Sequence, residues 1–188
     1  AARGWQKQET VFSIPQFLAS TQVSDFPPKA GEELSDMVAF ETQHLAGLSE
    51  EGFIHDFQRL PTGLGRENPV LIGICKESVI QERADAFKHT GIRIADFALA
   101  GTALASAYLH LYPDAADDKK PQLLLDIGAE NTVLVVMANG QVLFASSLLY
   151  GMDHYIRTVS EELGISESEA LQKAEEADPL DATDYHSP

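Results

Sequence analysis

A short polar segment between two apolar runs carries the residues best suited to chemistry. It consists of Asp126, Ile127, Gly128, Ala129, Glu130, Asn131 and Thr132. Residues 123–125 before it and 133–136 after it are apolar and predict two strands. Gly128 allows the backbone to approach a ligand closely, and successive turn amides can form a concavity that binds anions. Asn131 and Thr132 add side-chain donors. The pattern favours phosphate binding, although Asp, Gly and Asn are also common in ordinary hairpin turns.

Asp126 is the candidate metal ligand, because Mg²⁺ prefers carboxylates and retains several of its waters. Other metal and nucleophile chemistry has little support in the sequence. The six histidines show no paired ligand spacing, and Cys75 is the only cysteine, so neither a zinc site nor a disulfide framework is predicted. The serines lack a Gly-x-Ser-x-Gly elbow, which disfavours a hydrolase triad.

The elements after the polar segment follow a regular order. Gly140 predicts a second hairpin, and residues 141–147 predict a third strand. Gly151 then precedes an amphipathic helix that ends at Gly164. The apolar face of this helix consists of Met152, Tyr155, Ile156, Val159 and Leu163. Ser166 and Glu169 have the spacing of a capping box, which predicts the start of another helix.

This order resembles the opening of the second half of an actin-like ATPase domain. Residues 122–176, with the wording DIGAENT and then LGIS, resemble the family of the type IV pilus assembly protein PilM, a relative of the cell-division protein FtsA. Weaker matches upstream extend the resemblance to Thr10–Glu176. These matches are Val11–Pro15, Phe26–Pro28, Gly91–Ile92 and residues 94–112. The implied fold class is α/β with an α+β insert. It is a fragment of an actin-like (ribonuclease H-like) ATPase fold that includes the small PilM/FtsA-type subdomain.

The resemblance implies a nucleotide site with ATP and Mg²⁺ as cofactors. The residues expected at the β and γ phosphates and Mg²⁺ are Asp126, Gly128, Ala129, Glu130, Asn131 and Thr132, with Asp126 as the metal ligand and Gly151 packed close by. Many actin-like ATPases have Gly where Glu130 stands and Asp where Val133 stands. A carboxylate beside phosphates repels them. We therefore expect a nucleotide-binding scaffold or switch and not an efficient ATPase. In a partial chain, we expect the binding of ATP and Mg²⁺ to be weak or absent.

The predicted organisation has five parts. They are a loose N-terminus over residues 1–9, a small α+β subdomain over 10–95, a crossing helix and linker over 96–120, the start of the second actin-like half over 121–177, and a disordered end over 178–188. The segments predicted in the first 112 residues are strands at 10–14, 17–23, 53–60, 70–75 and 92–94, and helices at 30–45, 78–91 and 94–112. By the resemblance, the first phosphate loop and the adenosine segment lie outside this sequence, so we expect a partial PilM.

The net charge of −16 predicts repulsion of nucleic acid and anionic lipid, so no nucleic-acid partner is expected. We expect no signal peptide, and the sequence has no apolar run of membrane-spanning length. The resemblance implies a cytoplasmic protein, peripheral to the inner membrane through its partners alone. Those partners are the tail of a PilN-like membrane protein and other pilus platform proteins. The tail is expected in a groove near the first strands and Gly91–Ala105, where Pro15, Phe17 and Leu18 predict a sheet edge.

Two alternatives stay open on the sequence alone. An FtsA-like division adaptor would need an amphipathic membrane-targeting helix, which this sequence lacks. An actin-fold small-molecule kinase would need a catalytic Asp in the first half and a substrate pocket, and neither is evident. The acidic stretch from Gly151 to the C-terminus reads as a solvated surface, or else as a docking surface for a basic segment.

Overall fold

A computed structural model describes residues 9–28, 32–46, 51–63 and 65–176. The strands are β1 (Glu9–Ile14), β2 (Ala19–Asp25), β3 (Phe53–Arg59), β4 (Pro69–Lys76), β5 (Arg93–Leu99), β6 (Gln122–Ile127), β7 (Thr132–Ala138) and β8 (Gln141–Leu148). The helices are α1 (Glu32–Ala46), α2 (Glu77–Phe87), α3 (Ala100–Leu111), α4 (Met152–Leu163) and α5 (Glu167–Glu176). The predicted loose N-terminus, apart from Glu9, and the predicted disordered end lie outside the described residues.

The described strands form three small sheets. β1 and β5 pair in parallel, although 85 residues separate the partners Ile14 and Leu99. The second sheet has the order β2-β4-β3 and is antiparallel, and the third has the order β6-β7-β8. The strands β2 and β3 are therefore outermost in the second sheet, among the strands that the structure describes.

β4 is the centre of the second sheet and is buried on both faces. Val70, Ile72 and Ile74 alternate along one face and pack with Leu34 and Val38 of α1. On the opposite face, Leu71 belongs to a core with the third sheet, and Cys75 belongs to a core with Ile14 and Val79. Burial on both faces explains why β4 is an almost continuous apolar run and does not alternate between apolar and polar residues.

α3 packs closely on the third sheet. Ala105 of α3 shares a core with Val135 and Met137 of β7. The approach is closest at Gly101, where an added Cβ would lie 2.6 Å from the Cβ of Ala145 and 2.8 Å from Oε1 of Gln16. Glycine is thus required at this position for steric reasons.

Three predicted boundaries are wrong. The predicted helix over 94–112 begins only at Ala100, because residues 93–99 form β5. The strand predicted at Phe17 begins at Ala19, because Gln16–Leu18 forms a 3₁₀ turn closed by the Leu18 amide on the Pro15 carbonyl at 3.0 Å. The helix predicted at 78–91 begins at Glu77, with no side-chain cap, and ends at Phe87.

The chain divides into two compact units. One comprises Ala1–Asp126 with Val133–Ser147, and the other comprises Ile127–Thr132 with Leu148–Pro188, as far as these ranges are described. In the second unit, α4 ends at Gly164 with φ of 63°, as predicted. The Ser166–Glu169 capping box is also confirmed, since the Ser166 amide donates to the Glu169 carboxylate at 2.9 Å and the Glu169 amide donates to Ser166 Oγ at 3.2 Å. The five-part organisation stays a prediction.

Candidate functional site

The turn between β6 and β7 is closed by its own backbone. The Gly128 amide donates to the Asn131 carbonyl at 2.9 Å, so Ala129 and Glu130 occupy the tip. Thr132 is 8% exposed, and its hydroxyl donates to the Tyr150 carbonyl at 2.8 Å. The single proton of that hydroxyl is therefore already engaged within the protein, and the oxygen can only accept a further hydrogen bond.

The first turn of α4 is fastened to the same turn. The amides of Met152 and Asp153 donate to the carbonyls of Gly128 and Ala129, each at 2.9 Å. Gly151 makes this contact possible, because an added Cβ would lie 2.4 Å from the Ala129 oxygen and 2.5 Å from the Gly128 oxygen. Helix-start amides that would otherwise attract an anion are thus occupied by carbonyl groups. Gly151 is closely packed, as predicted, and its neighbours are the backbone atoms of the turn at Gly128 and Ala129.

The turn fits a phosphate group in part. Within the described residues, the amides of Ala129 and Glu130 contact no acceptor, and two such successive amides can hold an anion. The exposed Glu130 carboxylate at the same tip opposes an anion unless a cation accompanies it. The donor set therefore suits a metal-complexed phosphate better than a bare one.

Asp126 is exposed and is the last residue but one of β6. A carboxylate there can take part in a hydrated Mg²⁺ site, in which most ligands are water and phosphate oxygens. No group of three His, Cys, Asp or Glu in the described part of the chain could hold a metal by itself. Asp126 thus remains the predicted metal ligand.

A cleft of about 350 Å³ lies in the first unit. Five consecutive residues of β3, from Ile54 to Gln58, line it, as do four consecutive residues of β5, from Asp96 to Leu99. Side chains alternate between the two faces of a strand, so consecutive residues can line one cavity only if the strand presents its edge to it. The cleft is therefore a slot with a strand edge on either side.

The floor of this cleft is apolar and is shaped by a glycine. Gly73 lies in register between Thr21 of β2 and Asp56 of β3. An added Cβ at Gly73 would lie 3.0 Å from Cδ1 of Leu99, so a larger residue would crowd Leu99 and fill the floor. Cys75 also lines the cleft, and burial raises the pKa of its thiol, which favours the protonated form.

The cleft overlaps the region in which a partner groove is expected, since Ile14, Thr21, the residues Asp96–Leu99 and Thr102 contribute to its lining. β3 was missed as part of it. Its alternating pattern predicted only a half-buried strand. A signal was present in Asp56 and Asp96, because each is a carboxylate directly before a phenylalanine within a strand. The edge position of β2 was predicted correctly, with a later start.

No helix in the described ranges is long and apolar enough to cross a membrane. This holds for α3, the most apolar helix, which has 12 residues.

Comparison with known proteins gives the family. The model of the type IV pilus assembly protein PilM matches residues 10–185. A chain in the solved structure of a PilM-PilN type IV pilus biogenesis complex is similar, with 18% sequence identity and a TM-score of 0.69 over 88% of this chain and 49% of that one. The present chain thus spans about half the length of that relative. The expected mixed α/β fold of the PilM type is confirmed.

A second solved structure is a Bacteroides thetaiotaomicron protein with an actin-like ATPase fold and unknown function. It has 14% identity over 84% of this chain and 56% of that one, and its TM-score of 0.40 is too low to support an argument. No curated protein sequence matches. The family assignment therefore rests on the match that covers nearly the whole sequence, and by that match the chain belongs to the family of the type IV pilus assembly protein PilM.

Proposed function

We propose that this protein is a cytoplasmic adaptor of a type IV pilus platform, and that its cleft holds the N-terminal tail of a PilN-like membrane protein. Other platform proteins would then reach the membrane partner through it. Nucleotide acts as a switch in this proposal, and the protein is not an efficient ATPase. Membership of the PilM family and the cleft between two strand edges support the proposal.

The edge-lined cleft carries the argument. An outermost strand presents a row of backbone amides and carbonyls that can pair with an added strand. Here β3 presents its edge from the second sheet and β5 from the first, on either side of an apolar floor. An extended segment can pair its backbone with either edge and place alternate side chains on the floor. A short tail of a membrane protein supplies such a segment without requiring a folded partner.

The turn at residues 127–132 supports the nucleotide part of the proposal. The amides of Ala129 and Glu130 would hold phosphate oxygens, and Asp126 would hold the hydrated metal. In bound ATP with Mg²⁺, the cation would offset the repulsion between the phosphates and the Glu130 carboxylate. The Glu130 carboxylate at the tip of the turn repels phosphates, which is why a binding switch suits these residues better than fast hydrolysis.

The test is binding of a synthetic peptide that copies the cytoplasmic N-terminal tail of PilN from the same organism. Ile54→Asn removes apolar surface from the cleft at a side chain that is 45% exposed. We expect about a tenfold loss of affinity in fluorescence anisotropy, equivalent to about 1.4 kcal/mol. The matched control is Leu111→Asn, at an exposed apolar residue of α3 outside the cleft lining, and it should bind as the unaltered protein does.

Peptide N-methylation tests the strand-pairing mode separately. Two peptides are compared, one methylated at its odd-numbered amides and the other at its even-numbered amides. One of them should fail to bind and the other should bind as the unmethylated tail does, because successive amides of a strand point to opposite sides. Equal binding of the tail to the Ile54→Asn and Leu111→Asn variants, or no binding of the tail to the unaltered protein, would refute the proposed partner site.

A further inference from the structure

Two carboxylates line the cleft, one on each strand edge. Asp56 belongs to β3 and Asp96 to β5, and both are exposed. Their local geometry is the same. In each, Oδ1 accepts a hydrogen bond at 2.8 Å from the amide of the next residue, Phe57 or Phe97. That bond fixes the carboxylate while the second oxygen, Oδ2, stays available.

Neither carboxylate forms an ion pair with the described residues. Ion pairs within the described residues engage other acids, among them Asp25 with Arg66, Glu51 with Lys76, Asp85 with Lys88 and Glu9 with Arg93. Two carboxylates also fall short of a metal site, because no third His, Cys, Asp or Glu joins them among the residues described. The cleft thus has negative charge on both edges that the described protein does not neutralise.

We infer that the cleft selects an extended segment carrying a basic side chain, which pairs with Asp56 or Asp96 while neighbouring apolar side chains cover the floor at Gly73 and Leu99. This inference deepens the proposed function and rests on its strand slot. Opposite charge gives the complementarity, and arginine suits it best because its planar guanidinium binds a carboxylate through two hydrogen bonds. An acidic or phosphorylated segment is repelled by the same two groups.

The experiment is a selection from a random twelve-residue phage-displayed library. It is run in parallel on the unaltered protein and on the double variant Asp56→Asn with Asp96→Asn. Asparagine keeps an oxygen for the Phe57 and Phe97 amides, so the strands are preserved while the charge is removed. The control is Asp36→Asn with Asp117→Asn, which removes two exposed carboxylates outside the cleft lining and changes the net charge equally.

We expect Arg and Lys to be enriched among peptides selected by the unaltered protein and by the control, and not by the cleft variant. The best selected peptide should lose about tenfold in affinity on the cleft variant at low salt, and less at high salt, since exposed ion pairs are weak and screened. The same basic enrichment on the cleft variant, or none on the unaltered protein, would overturn the inference.

The selection and the tail-binding measurement fail independently. If the PilN tail binds in the cleft, but replacing the two aspartates changes neither its affinity nor the selected peptides, the charge inference is wrong and the proposed function stands. If basic peptides are selected through the aspartates but the PilN tail does not bind, the cleft chemistry stands and the proposed partner is wrong.

Discussion

The cleft and the turn between β6 and β7 differ in how their polar groups are used. In the turn, carbonyls of Gly128 and Ala129 accept amides from α4, and the Thr132 hydroxyl donates to a neighbouring carbonyl. In the cleft, Asp56 and Asp96 each use one carboxylate oxygen to accept the amide of the next residue, and neither forms an ion pair with the described residues. The turn is therefore held mainly by internal hydrogen bonds, whereas the cleft has a second oxygen on each carboxylate that the proposed function assigns to recognition. Substitutions in the first region should change stability, and substitutions in the second should change binding.

The largest expected effect is at Gly151. In Gly151→Ala the new methyl group would lie within 2.5 Å of two carbonyl oxygens of the turn, so backbone must move. We expect a loss of about 3 kcal/mol in the free energy of unfolding, at the upper end for overpacking, measured by urea titration with circular dichroism.

Gly164→Ala is the control for that measurement. Its φ of 63° disfavours alanine, but nothing lies within 4 Å of the added methyl, so a loss of only about 1 kcal/mol is expected. Equal losses at Gly151 and Gly164 would show that α4 and the turn are not sterically fastened.

In the cleft, the comparison predicts the opposite outcome. Ile54→Asn should leave the free energy of unfolding within about 0.5 kcal/mol of its original value, because the side chain is half exposed and outside the described cores, while tail-peptide affinity falls. A large loss of stability together with unchanged binding would show that Ile54 serves packing and not recognition.

Thr132→Val sharpens the assignment of the turn. Valine keeps the shape but leaves the Tyr150 carbonyl without its donor, which should cost about 1 kcal/mol of unfolding free energy. Thr132→Ser should recover most of it. If Thr132→Val weakens ATP binding with no change in stability, the hydroxyl serves the nucleotide and not the internal bond.

The smallest effect is a pH dependence at Cys75. Burial raises the pKa of this thiol in the folded state, so the folded chain holds the proton more tightly than the unfolded one. The resulting stability is fully present below the unfolded pKa of about 8.5 and is lost as pH rises through the folded pKa. The decline of unfolding free energy above that pH should be shallower in Cys75→Ala, and identical slopes would contradict the assignment.

Features set by local chemistry were predictable from the sequence. Gly164 ends α4, and Ser166 with Glu169 caps α5, because each depends on residues only a few positions apart. The 3₁₀ turn at Gln16 was not predictable, since the Gln16 side chain is drawn into the core to accept the Gly101 amide at 3.0 Å. β5 was read as part of a helix, because periodicity does not distinguish a short apolar strand from the start of a buried helix.

The two candidate sites also differ in how far they could be predicted from the sequence. All residues of the turn are adjacent in sequence or close to it, so a motif could suggest the region, although not how many of its donors are already engaged. The cleft joins residues 54–58 to residues 96–99 through strand pairing that no local pattern encodes. In the sequence, only the carboxylates Asp56 and Asp96 indicated that these two strands have a role besides packing.

The parallel pairing of β1 with β5 has a consequence for synthesis of the chain. Ile14 leaves the ribosome 85 residues before its partner Leu99, and at about 5 to 20 residues per second this delay is roughly 4 to 17 s. The strands β2, β3 and β4 are all complete in that interval, so the antiparallel sheet can form before β1 has its partner. A chaperone that binds nascent chains would therefore find β1 unpaired for a longer time than any other described strand of this unit.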